Sequence, residues 1–375
     1  MIYLDNAATV KPDEWCFKAA EKYLLSQFYN PSALYAEGYN LHLELKQARE
    51  NILGLIADTR NFSLIFTSCG TEADNQAVFC GARRGNVVTT LGEHAAVFSA
   101  VNELKRRGQE VRIANLNADG SVDEEHFLSL VDKNTSLVSV IHVNNETGAV
   151  NDIAGLAQKV KAKNGFALFH SDGVQAFGKI PFRLTHQIDL YTINAHKIGG
   201  IKGCGALIKR KNLVLSPYIY GGGQEQEMRS GTENVYAVKC FEHCALQRYK
   251  ELEKTYDKIR EINRIFTAKL DKQLFGLIST DKCSPYIVCV SAEGVRGETI
   301  LHEADDSGLI IGTGSACSSN AKKRFSRVIL ACGVNETVAD GILRISFSHA
   351  TTAEEALRAA EILNTIVKNR KEKMA

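Results

Sequence analysis

The chain has 375 residues, 45% of them hydrophobic and 23% charged, with a formal net charge of +2. That balance is ordinary for a globular protein, and the charge gives no field that would argue for nucleic acid or a membrane surface. The length favours one large domain with a smaller one over a single small core. The first ten residues, MIYLDNAATV, show no basic stretch leading into an apolar run, so they do not read as a signal peptide. No segment approaches the roughly 20 apolar residues of a membrane-spanning helix. A cytoplasmic protein is expected. Ten cysteines are scattered without a CxxC pair, so neither a disulfide framework nor a metal site is expected. Cys80, Cys240 and Cys289 sit among apolar neighbours and read as small core residues.

Between residues 63 and 210, short β-rich runs alternate with helical stretches. Strand candidates lie at 63–68, 86–90, 136–143, 166–172, 190–195 and 205–209. Several are nearly continuous apolar runs, as strands buried on both faces are. Helical patterns at 72–82 and 153–163 fit the crossovers of a largely parallel sheet. From 235 to 275 the pattern becomes long, charged and helical and reads as a connecting helix, with the domain change near residue 255. Strand candidates at 286–291 and 343–347 follow, then a terminal helix opened by Thr352 with Glu355 in capping-box spacing.

Several polar groups stand at the ends of these apolar runs. Asn194-Ala195-His196-Lys197 closes one strand, where open α/β sheets build their ligand crevices. Desolvation there lowers an amine's pKa, which suits a Schiff-base lysine; the plain alternative is an exposed lysine in a Gly-rich turn. His170-Ser171-Asp172-Gly173-Val174-Gln175 closes another. An aspartate beside the ring nitrogen of pyridoxal phosphate keeps that nitrogen protonated, with Gln175 in reach of the phenolic oxygen. Asp172 also fits a simple N-cap. Phe66 to Glu72 runs from a strand through Gly70 and Thr71 into a helix, a cradle for a phosphate. It matches neither the dinucleotide fingerprint nor the P-loop. His196 and the Arg229–Thr232 turn offer further donors. Gly312 to Ser319 is a small, polar stretch around Cys317, with Lys322, Lys323 and Arg324 after it, a setting for thiolate character or for an unremarkable loop thiol. Arg344, a charge in an apolar strand, needs a partner: a substrate carboxylate or a structural ion pair.

Taken together, these segments resemble the cysteine desulfurases, pyridoxal-phosphate enzymes of the class V aminotransferase group. The matching pieces are YLDNAAT, NPSALYAEG, FTSCGTEADN, GEHAAV, HVNNETG, HSDGVQ, NAHK, GGGQEQEMRSGT, GSACSS and LRISFS, in the family's order across almost the whole chain. The resemblance implies the α/β architecture of fold type I. Residues 15–255 would form a large cofactor-binding domain around a mainly parallel seven-stranded sheet. Residues 1–14 and 256–375 would form a smaller α+β domain carrying the catalytic cysteine loop. It further implies a homodimer, L-cysteine as substrate, and a sulfur-acceptor protein, either a cluster scaffold or a tRNA-thiolation enzyme, with no direct role for nucleic acid or membrane.

Residue by residue, the resemblance makes Lys197 the lysine that holds the cofactor, Asp172 the partner of its ring nitrogen and Gln175 that of its phenolic oxygen. His94 stacks on the ring and helps to move protons. Gly70, Thr71, Asn194 and His196 serve the phosphate, joined by the partner subunit's Thr232. Asn145 and Arg344 hold the substrate carboxylate, and Cys317 is the nucleophile that receives the sulfur. Some positions depart from the family's pattern: Cys69-Gly70 replaces Gly-Ala, Asn194 replaces serine and Tyr35 replaces histidine. A selenocysteine lyase or aminotransferase on the same fold, or a non-catalytic sulfur carrier or assembly platform, are the competing readings.

Overall fold

The computed structural model describes residues 1–314 and 325–374. Its strands, in chain order, are β1 (Ile2–Tyr3), β2 (Phe62–Thr67), β3 (Asn86–Thr90), β4 (Val111–Ala114), β5 (Thr135–Ser139), β6 (Leu168–Asp172), β7 (Leu190–Asn194), β8 (Gly205–Arg210), β9 (Gly276–Leu277), β10 (Ile287–Ser291), β11 (Leu309–Ile310) and β12 (Ile342–Ser346). Seven of them form the central sheet in the order β2-β8-β7-β6-β5-β3-β4. β8 runs antiparallel to both neighbours, and the other adjacent pairs are parallel. Every residue of β3, β5, β6 and β7 is buried, as strands with helices on both faces require.

Because β8 opposes both β2 and β7, β2 points the same way as the parallel strands. Their carboxyl ends therefore share one edge of the sheet. From β3 the chain moves outward to β4, then returns across β3 to build β5, β6 and β7. The order reverses between β3 and β5, which is where such sheets leave a crevice.

The strand expected over 136–143 is shorter. After Ser139, Val140 and His142 still donate to the carbonyls of His170 (3.1 Å) and Asp172 (2.9 Å). On the other side β3 has ended, and the Glu93 carboxylate takes the Ile141 N–H at 3.0 Å. The single helix expected from 235 to 275 is broken at Glu251 into Val235–Lys250 and Leu252–Lys269.

Phe241, Cys244 and Ala245 pack in the core around the central sheet. Ile259, Ile262 and Phe266 pack in a second core with β10, β12 and the terminal helix Ala353–Met374. That helix opens with the expected reciprocal cap: Thr352 N–H donates to Glu355 (3.0 Å) and Glu355 N–H to the Thr352 hydroxyl (3.2 Å). Leu4 and Ala7 join the second core, and β1 pairs with β11.

Cys240 and Cys289 are fully buried, whereas Cys80 is only half-buried. No helix among the described residues is long and apolar enough to cross a membrane.

Candidate active site

A cavity of about 270 Å³ opens at the carboxyl edge of the sheet. Lys197, in the turn after β7, reaches into it; its Nζ donates to the carbonyls of Ala7 (2.6 Å) and Ala8 (2.7 Å). The amino-terminal segment thus forms one wall. Gln175 donates its amide Nε2 to the same Ala7 carbonyl at 2.8 Å. His196 Nδ1 meets the Thr9 hydroxyl at 3.1 Å. Burial, then the charges of Lys197, Lys179 and Lys202, push the His196 pKa down to about 3, so its ring is neutral at physiological pH.

Asp172 ends β6 beside Lys197, with Oδ1 accepting the Val174 N–H at 2.9 Å. Between them Gly173 is required, since a Cβ there would lie 1.9 Å from Tyr191 Cζ. Burial pushes the Asp172 carboxyl up to about 6, and the Lys197 charge opposes this. A second carboxylate, Asp74, lies one turn along the Gly70–Gly81 helix from Thr71. Burial, and next the charge of Asp172, raise its pKa well above normal. One ligand atom each of Asp74, His94 and Asp172 lies within 4.8 Å of the others, so the charge of one carboxylate disfavours that of the other. His94 caps the Ala95–Arg106 helix, its Nδ1 accepting the Ala96 N–H at 3.2 Å. That bond assigns the neutral ring's proton to Nε2. Burial, then Lys197, Arg327 and Arg344, hold the His94 pKa near 4.

The Gly70–Gly81 helix begins at the cavity, and its N-cap Cys69 supplies no side-chain hydrogen bond. A Cβ on Gly70 would meet Val174 at 2.9 Å and the Asn194 amide nitrogen at 3.3 Å, so glycine lets the helix start pack this closely against both. Asn194 uses Oδ1 to accept the His196 N–H at 3.1 Å. Its amide donor thus stays beside Gly70, in place of the hydroxyl a serine would offer. Thr71 lines the cavity as well. Arg229 does not add to the cradle, because its guanidinium is committed to Glu72 (2.8 Å). Thr232 is exposed and does not line its own chain's cavity.

Across the cavity, Arg344 of β12 donates to the Asn145 carbonyl (3.0 Å) and to Asp5 (2.7 Å). Asp5 is the structural partner that a buried guanidinium needs. Arg344 Nε is buried with no partner among the described residues. The site therefore gathers Lys197, Asp172, Gln175, Gly70, Thr71, His94, Asn194, His196, Asn145 and Arg344 from the ends of β2, β3, β5, β6 and β7 together with β12. Cys317 lies outside the described residues. Asp74, Asp5 and the carbonyls of Ala7 and Ala8 were not singled out by sequence. Asp74 was legible only as a residue three positions after Thr71, on the same helix face.

The Asp172 carboxylate, the Arg344 guanidinium and the Gly70–Thr71 helix start, lining one cavity, suit a bound group with a protonated ring nitrogen and an anionic end. A lysine and an aspartate at the ends of adjacent strands, above an anion cradle on the same edge, define a pyridoxal-phosphate enzyme of fold type I. The chain belongs to the aminotransferase class-V family, matched over residues 2–358. It is 33% identical to a cysteine desulfurase of Nostoc sp., over 98% of this chain and 93% of the relative. To the cysteine desulfurase NifS of Azotobacter vinelandii it is 32% identical, over 98% and 92%. The fold superposes on a NifS-like protein from Rickettsia africae with a TM-score of 0.89 at 30% identity, covering 98% of this chain and 99% of that one.

Glu93, next to His94, yields a pH-dependent expectation. Burial pushes its carboxyl up to about 8 from an ordinary 4.5, while its bonds to the Thr90 hydroxyl and Ile141 N–H oppose the shift. The native state then holds a proton that the unfolded chain releases, so this contribution to stability falls as pH rises from 4.5 to 8. Glu93→Gln cannot ionise. Urea unfolding should show its stability relative to wild type improving by a few kcal/mol, at most, across that window. A constant difference would contradict a protonated Glu93.

Proposed function

We propose that this chain is a cysteine desulfurase that converts L-cysteine to L-alanine and leaves the sulfur as a persulfide on Cys317. The observation that carries it is the Arg344 guanidinium lining one cavity with Lys197 and Asp172. The desulfurase names of its relatives support the same reading.

Bound pyridoxal phosphate supplies the electron sink. The chain's own groups do the rest. The Gly70–Thr71 helix start, Asn194 and His196, with the partner subunit's Thr232, hold the phosphate. Asp172 places a negative charge against the ring nitrogen, Gln175 donates to the phenolic oxygen, and His94 covers the ring. Arg344 and Asn145 orient the substrate carboxylate, and Lys197 Nζ moves the Cα proton. The Cys317 thiolate attacks the substrate sulfur, the carbon–sulfur bond breaks toward carbon, and a proton returned there completes alanine. The balance is L-cysteine plus the Cys317 thiol giving L-alanine plus the Cys317 persulfide.

The acceptor class is a cluster scaffold or a tRNA-thiolation enzyme, and the working unit is a homodimer in the cytoplasm. The nine described cysteines are all free thiols, in keeping with a reducing compartment. The division into 15–255, and 1–14 with 256–375, is supported by the two separate apolar cores.

The test is the product ratio. Purified protein reconstituted with pyridoxal phosphate and given L-cysteine and a reducing thiol should form alanine and sulfide one for one. Pyruvate or an exchanged amino group in their place would sink the reading in favour of a lyase or aminotransferase. Arg344→Lys should retain the cofactor's visible band while kcat/KM for L-cysteine falls roughly 10- to 100-fold, the loss of a charge-assisted hydrogen bond. An unchanged kcat/KM would leave Arg344 only its structural partners, Asp5 and the Asn145 carbonyl.

A further inference from the structure

Lys179 is a buried lysine in the turn after β6, four residues past Gln175, and no step above uses it. Burial, then the charges of Lys197 and Arg344, push its amine down to about 7. An apolar side chain would fill this place at less cost, so the amine calls for a function. Its Nζ donates to Gln175 Oε1 at 2.7 Å. The same amide donates through Nε2 to the Ala7 carbonyl at 2.8 Å.

The two ends of a glutamine amide are nearly the same size, so its partners decide which end points where. In its protonated form the lysine only donates, and a carbonyl only accepts. Both contacts therefore select one orientation. Reversal would set the amide N–H groups against the ammonium and oxygen against oxygen, two repulsive contacts at once. Gln175 lines the cavity, and one Nε2 hydrogen is left after the bond to Ala7. The Ala7 carbonyl also accepts from Lys197 Nζ at 2.6 Å, which ties the amide's placement to that of the lysine.

We propose that Lys179 is a positioning residue whose Nζ, together with the Ala7 carbonyl, orients the Gln175 amide so that it offers N–H to the cofactor's phenolic oxygen. This rests on the cofactor reading above. In Lys179→Met the chain length is kept and the donor is lost, so only the Ala7 carbonyl still selects the amide's orientation. A purely structural lysine would change the melting temperature and nothing in the cofactor's spectrum.

The experiment compares wild type, Lys179→Met, Gln175→Leu and the double variant, each reconstituted with pyridoxal phosphate. It reads the pH midpoint of the visible band, the cofactor's dissociation constant and the melting temperature of the cofactor-free proteins. Lys179→Met should move the midpoint in the same direction as Gln175→Leu and weaken cofactor binding about 5-fold, the worth of one hydrogen bond. The double variant should go no further than Gln175→Leu alone. Lys179→Leu replaces the methionine variant if that one does not fold. A Lys179→Met spectrum and affinity matching wild type, or additive effects in the double variant, overturn the inference. A wild-type protein that takes up no pyridoxal phosphate overturns the cofactor reading and this inference with it.

Discussion

Lys197→Ala should lose roughly four orders of magnitude in alanine formation, the upper range for removing a positioned acid–base group. The loss should be chemical and not structural. Lys197 Nζ donates to the carbonyls of Ala7 and Ala8, at the wall of a solvent-reachable cavity where water replaces a lost donor. The cofactor-free variant should therefore melt near wild type. Borohydride treatment of the loaded protein should no longer fix the cofactor to the chain, which mass spectrometry reads directly. Lys197→Arg keeps the positive charge beside Asp172 but not the nucleophilic amine, and it should be as inactive. Activity in the arginine variant above a few per cent would reduce Lys197 to an electrostatic role and defeat the assignment.

Cys317→Ala should abolish sulfide release from L-cysteine while cofactor binding and its visible band stay as in wild type. The separation follows from the division of labour: Lys197 is held by the Ala7 and Ala8 carbonyls and Asp172 by the Val174 N–H, on the wall of one cavity. Undiminished turnover in this variant would end the persulfide mechanism. Selenocysteine cleavage that survives the substitution, without activity on cysteine, would make the protein a selenocysteine lyase. An acceptor assay with radiolabelled cysteine gives the complementary reading, with label on the wild-type chain and none on the variant.

The residues legible in the sequence were those that end a strong apolar run. Asp172 is the last of the five buried residues of β6, and Lys197 stands in the turn just after the five buried residues of β7. The parallel sheet was legible for the same reason. The wall formed by residues 5–9 was not, because it works largely through the carbonyls of Ala7 and Ala8, and a backbone acceptor leaves no signature in side-chain pattern. Asp74 reads as an ordinary acid in the first turns of a helix, and only burial shows that it is not. β4 has a four-residue VRIA pattern, half-exposed at the sheet's edge, too short to stand out. The break at Glu251 has neither glycine nor proline to announce it. His94 and Asn145 follow β3 and β5, where the strand order reverses. Resemblance could name them, but only topology explains their position.

The lacing of residues 4–9 into the site also sets when the site can exist. Asn6 donates to the Ser346 carbonyl, Ser346 N–H to Leu4, and Arg344 to Asp5, pairing positions some 340 residues apart in sequence. Contacts of that separation carry the largest loop-closure cost and form late. Residues 4–9 meet Gln175, Lys197 and β11 as well, but their contacts with β12 span the greatest separation. The large sheet can assemble earlier, with Lys197 and Asp172 already on adjacent strands. The Ala7 carbonyl that holds Gln175 and Lys197 belongs to this long-range seam, so the site is expected to be completed late in folding.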